Sequence, residues 1–176
     1  MKRVAWSSLF SILFLTYFLS SVPNLAVLPV LRQVNAFLSS FDFSMIDLAG
    51  KLADRLPAQL GPAKDVASLF YQYAQANPAV AEFMLRKSAH VILFFFITIA
   101  FFLLLRQYIH SPWRALFGAA ILTTAVACLD EIHQTFVPGR SGNIVDVFIN
   151  GVGIWLAFLF IAFALVIAGR ASGAEA

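Results

Sequence analysis

The sequence predicts an all-α integral membrane protein: a bundle of four spanning helices, with short amphipathic helices in an extracytoplasmic loop between spans one and two. Three observations carry this reading: the composition, four apolar runs of spanning length, and breaker residues between them. Of 176 residues, 61% are hydrophobic, 19 are Phe and only 12% are charged. A soluble domain of this length carries about a quarter charged residues. So little polar surface cannot cover the chain, and lipid must solvate much of it.

The apolar runs come in order. Residues 4–22 ("VAWSSLFSILFLTYFLSSV") form the first and stop at Pro23. Residues 89–105 ("AHVILFFFITIAFFLLL") form the second and most hydrophobic. Residues 113–129 form the third, with Pro112 suited to its first turn. Residues 144–168 form the fourth, closed by Gly169. Each approaches the roughly 20 residues a helix needs to cross the hydrocarbon. Lys2 and Arg3 before an apolar run also describe a signal peptide, but such cores run about 7–15 residues. The run here is longer and "SSVPNLA" offers no clean cleavage site, so the segment is read as a retained anchor.

Lys2, Arg3, Arg106, Arg114 and Arg170 flank ends that four spans place on one side. The positive-inside rule then predicts that both termini face the cytoplasm. The expected layout is a first span over 1–22, an extracytoplasmic loop over 23–88, a three-span core over 89–170 and a cytoplasmic tail over 171–176. Within the loop, Met45, Leu48, Leu52 and Leu56 recur at helical spacing, as do Val66, Leu69, Phe70 and Tyr73. Both patterns predict short amphipathic helices. The net charge of +3 does not signal a nucleic-acid partner, because no basic stripe accompanies it. Cys128 is the single cysteine and forms no internal disulfide; its place in an apolar run predicts a small buried hydrophobe.

Ionisable groups beside membrane spans are costly and usually face protein or the interface. Three clusters break the apolar pattern. "RKSAH" leads into the second span, and Lys87 and His90 lie three apart on one face. Arg86 and Lys87 can snorkel, whereas His90 is too short and should point at protein. "DEIHQTFVPGR" follows the third run. If that helix continues, Thr123, Ala127, Asp130 and Gln134 form one stripe, and Thr124, Ala127, Glu131 and Gln134 an overlapping one. Pro138-Gly139 then reverses the chain. In the third cluster Asn143 is a plausible N-cap, with Asp146 placed as a capping-box acid. Asp146, Asn150, Gly153 and Ala157 continue along one face, a spacing that lets membrane helices approach closely. The short connection makes spans three and four antiparallel neighbours, so Glu131, His133, Arg140 and Asp146 should meet near His90.

These blocks, "KSAH" and "LDEIHQTFVPGRSGNIVDVFINGVG", resemble the VanZ family. The likeness covers about residues 86–154; the first span and the loop agree in layout more than in sequence. The resemblance implies a multi-span bacterial membrane protein, tied through the family's name-giver to resistance against the glycopeptide teicoplanin. Motif positions carried over are Lys87, His90, Asp130, Glu131, His133, Gln134, Pro138, Arg140, Asp146, Asn150 and Gly153, and none brings an established catalytic role.

The leading expectation is a binding protein for an envelope lipid, a lipid-linked cell-wall precursor or a glycopeptide at the outer leaflet. Lys87, His90, Asp130, Gln134, Arg140, Asp146 and Asn150 would form its site, with Arg140 as anion contact. The alternative is a membrane-embedded enzyme on a lipid-linked envelope substrate, with Glu131 and His133 as general base and acid. A third reading makes the cluster a purely structural network. A metal set of His90, Glu131, His133 and Asp146 is weak, because side chains two apart on a helix diverge; no metal and no cofactor are assigned. Nothing in the sequence fixes the oligomeric state.

Overall fold

The computed structural model describes residues 2–23, 27–40, 69, 73 and 76–174. Five helices run through them: α1 (Lys2–Ser21), α2 (Val27–Ser39), α3 (Pro78–Leu105), α4 (Pro112–Gln134) and α5 (Ile144–Ala174). No strand occurs among the described residues. Helices α1, α3, α4 and α5 are each long and apolar enough to cross a membrane. The chain is therefore an all-helical membrane protein. It divides into two compact units, Met1–Leu25 with Lys87–Ala176, and Ala26–Arg86.

Two boundaries differ from the apolar runs. Helix α3 begins at Pro78, well before Ala89, because Asn77 and Pro78 start it rather than hydropathy. Val80 and Ala81 donate backbone N–H bonds to the Asn77 carbonyl at 3.0 and 3.2 Å, and Pro at the first helical position loses no bond the helix would have made. Helix α4 continues past the apolar run through Asp130 and Glu131 to Gln134. Helix α2 was not expected, since Pro29 reads as a breaker in mid-sequence but falls in the helix's first turn. The expected loop helix over residues 45–56 lies outside the described residues. Of the second, Leu69 and Tyr73 are described, both helical and exposed.

The larger unit is built around Phe94 and Ile97 of α3, Ala127 of α4 and Ile154 of α5, with Ile12 and Leu13 of α1 against them. Most other large apolar side chains point outward, as lipid rather than water permits. Buried hydroxyls are satisfied within their own helices. Thr16, Thr98 and Thr123 each donate to the carbonyl four residues back at 2.8 Å.

At Gly153 the contact between α5 and α3 is backbone to backbone. A Cβ there would land on the Val91 carbonyl oxygen and sit 3.1 Å from the Phe95 nitrogen. This is the close approach that the Asp146–Asn150–Gly153–Ala157 face predicts, and Asn150 and Ala157 are buried beside it. Cys128 departs from expectation: it is exposed on the outer side of α4. The buried stripe of α4 runs through Ala119, Thr123, Ala127, Asp130 and Gln134, and Cys128 lies about 100° around the helix from Ala127.

Contacts at the two ends fix helix direction. The Lys2 ammonium sits 4.9 Å from the Tyr108 ring centroid, and Trp6 Nε1 donates to Tyr108 Oη at 3.1 Å. The start of α1 therefore lies beside the α3–α4 connection. Its other end lies beside the end of α4, where Tyr17 and His133 rings are 4.7 Å apart.

Candidate functional site

The far end of the larger unit gathers the polar residues. Helix α4 carries Asp130, Glu131 and Gln134 there at only 7%, 5% and 7% exposure. Three polar side chains survive burial in one helical turn because each has a specific partner or direction. Gln134 Nε2 donates to Asp130 Oδ2 at 2.8 Å, one turn back on the same face. Glu131 turns toward the start of α5, where its Oε2 accepts the Asn143 backbone N–H at 3.1 Å.

The chain between these helices reverses tightly. Thr135 bonds back to Ile132, Phe136 to His133 and Val137 to Gln134, closing α4 with tightened turns. Arg140 N–H then donates to the Val137 carbonyl at 3.1 Å. Pro138 and Gly139 occupy the central positions, and Gly139 takes a φ of 77°. Pro followed by a positive-φ Gly is the type II turn chemistry, so the predicted reversal is present.

Asn143 caps α5 as expected, its Oδ1 accepting the Val145 N–H at 3.0 Å. The reciprocal half of the capping box is a correction. Asp146 does not return to the Asn143 N–H, which Glu131 has taken from the neighbouring helix. Asp146 instead forms an ion pair with Lys87 of α3. Both side chains are mostly buried, and a buried ammonium left without a carboxylate would cost more than the backbone N–H bond that Asp146 gives up. Asp146 still lies in the first turn of α5, where the helix dipole favours it.

His133 and Arg140 turn the other way, toward α1. Ser21 Oγ lies 3.0 Å from His133 Nε2 and donates its own proton to the Tyr17 carbonyl at 2.7 Å. A hydroxyl has one proton, so His133 Nε2 is the donor of the shared bond. Arg140 Nη2 donates to the Leu19 carbonyl at 3.0 Å. His90 is half-buried and stacks against Phe94, their ring centroids 6.4 Å apart. Its ring thus lies against its own helix and does not stand in open solvent.

Residues from all three core helices thus come together, joined by α1. Glu131 and His133 turn apart, one reaching α5 and the other α1. Among the described residues, no three His, Cys, Asp or Glu side chains are grouped to hold a metal ion. Three carboxylates (Asp130, Glu131, Asp146) against two cations (Lys87, Arg140) leave one excess negative charge when the histidines are neutral. Among the described residues, Glu131 Oε1 and Asn150 Nδ2 are buried without a protein hydrogen-bond partner. The residues that sequence reasoning missed are Tyr17, Leu19 and Ser21. Their only signal is the pair of serines, Ser20 and Ser21, at the end of an apolar span.

The VanZ/LLP1 family model matches residues 6–166, well beyond the motif blocks and including most of α1. No curated protein and no solved structure matches the chain. The chain belongs to the VanZ/LLP1 family.

Proposed function

From that membership we propose that the protein resides in the bacterial cytoplasmic membrane with both termini inside. Its polar end then lies at the outer leaflet, where it binds an envelope lipid, a lipid-linked cell-wall precursor or a glycopeptide, contributing to glycopeptide resistance. The orientation is supported by Lys2, Arg3, Arg106 and Arg114, which flank the end opposite the polar cluster.

One observation carries the binding reading. Glu131 is held by Asn143 through Oε2 while its buried Oε1 has no protein partner. A network that served packing alone would close on itself, because a buried acceptor left unmade costs about 1–3 kcal/mol. Glu131 therefore presents an acceptor to a ligand donor, and Arg140, anchored to Leu19, supplies positive charge at the same end of the bundle. The enzymatic alternative, with Glu131 and His133 as base and acid, has less support, since the two side chains face different helices.

Single substitutions test this: Glu131→Gln, His133→Asn and Arg140→Gln, each checked for normal abundance in the membrane. The expected result is greater glycopeptide susceptibility and weaker retention of labelled envelope lipids by the purified protein. Variants that insert normally with unchanged susceptibility and unchanged lipid retention overturn the reading. Conversion of the labelled lipid to product favours the enzyme instead.

A further inference from the structure

The opposite end of the bundle carries a second set of charges that the polar cluster does not use. Lys2, Arg3, Arg106 and Arg114 are all exposed there, and no Asp or Glu among the described residues lies at this end. Orientation in the membrane needs only their charge, not a fixed arrangement. Yet two of them are fixed. Arg106 Nη1 donates to the Ile109 and His110 carbonyls at 2.8 Å each, which ties the guanidinium into the α3–α4 turn while its other N–H groups stay outside these bonds. Lys2 is held over the Tyr108 ring, and Trp6 donates to that tyrosine's hydroxyl.

The turn itself encloses a cavity of about 190 Å³ lined by Arg106, Gln107, Tyr108, Ile109 and His110. Trp6 and Tyr108 are amphipathic rings of the kind that settle at headgroup depth. Basic pockets between spanning helices at that depth suit phosphate-bearing headgroups. We propose that this cavity, with Arg106 in its wall and Lys2 over the ring of Tyr108, binds the phosphate of an anionic phospholipid, while Arg3 and Arg114 strengthen the local field. The occupant is a bilayer lipid, because the cavity lies in the turn joining two membrane-spanning helices whose outward faces are apolar. This site is independent of the polar end and of the function proposed for it.

The test is native mass spectrometry of the full chain, released from micelles containing equal amounts of dioleoylphosphatidylglycerol and dioleoylphosphatidylcholine. The expected result is retention of phosphatidylglycerol over phosphatidylcholine by about 25-fold, a factor of about five for each of the two fixed cations. Lys2→Gln and Arg106→Gln should each reduce that preference by about fivefold, and added salt should weaken it. Arg106→Gln also loosens the turn, so Lys2→Gln, at an exposed helix start, decides the matter if the other variant fails to fold. Equal retention of the two lipids by the unaltered protein, or an unchanged preference in Lys2→Gln, overturns the proposal.

Discussion

The two ends of the four-helix unit use similar residues in opposite ways. At one end, charges of both signs are drawn inward: Lys87 to Asp146, Glu131 to the start of α5, Arg140 to a backbone carbonyl of α1. At the other, Lys2, Arg3, Arg106 and Arg114 carry one sign and face outward. The difference teaches that a charge next to a membrane span has two stable solutions. It can reach the interface on a long stem, or it can be enclosed with a partner fixed by the fold. The first asks little of neighbouring helices, whereas the second constrains them all. Substitutions should therefore be felt far more at the inward end.

The largest effect should come from the contact that permits the enclosure. Gly153→Ala forces α5 away from the Val91 backbone. It should destabilise the protein by about 3 kcal/mol, read by unfolding in mixed detergent micelles. Next comes the Lys87–Asp146 pair. A cycle of Lys87→Met, Asp146→Asn and the double variant should give a coupling energy of about 1–3 kcal/mol. A coupling near zero would mean that the inward end resembles the outward one. Glu131→Gln keeps the side chain's shape but weakens the charge-assisted bond to Asn143, and should cost about 1 kcal/mol. Arg114→Gln, at the outward end, should change stability by no more than about 0.5 kcal/mol. If Arg114 proves as costly as Lys87, the contrast between the ends fails.

The spans were legible because each is a run of apolar residues, and lipid rewards that pattern regardless of partners. Their ends were less so. Pro78 to Ser88 is helical for reasons of capping, which hydropathy does not register. Helix α2 was missed because a proline in a first turn looks like a proline anywhere. Within the site, the meeting of the end of α4 with the start of α5 followed from a short turn between two long helices. The choice of partners did not. Asp146 is well placed for its local cap, and only the three-dimensional position of Glu131 shows that the cap is already filled. The share of α1 was hidden for a simpler reason: Arg140 grips the Leu19 carbonyl, and a carbonyl is the same at every residue.

The first turn of α5 is completed by Glu131, a residue of α4. That bond forms only when the preceding helix lies alongside. Helices α4 and α5 are thus expected to enter the bilayer as one hairpin, the tight reversal at Pro138-Gly139 leading, and not as two independent segments. The contact that closes the hairpin then comes from a side chain whose chemistry is otherwise read as recognition.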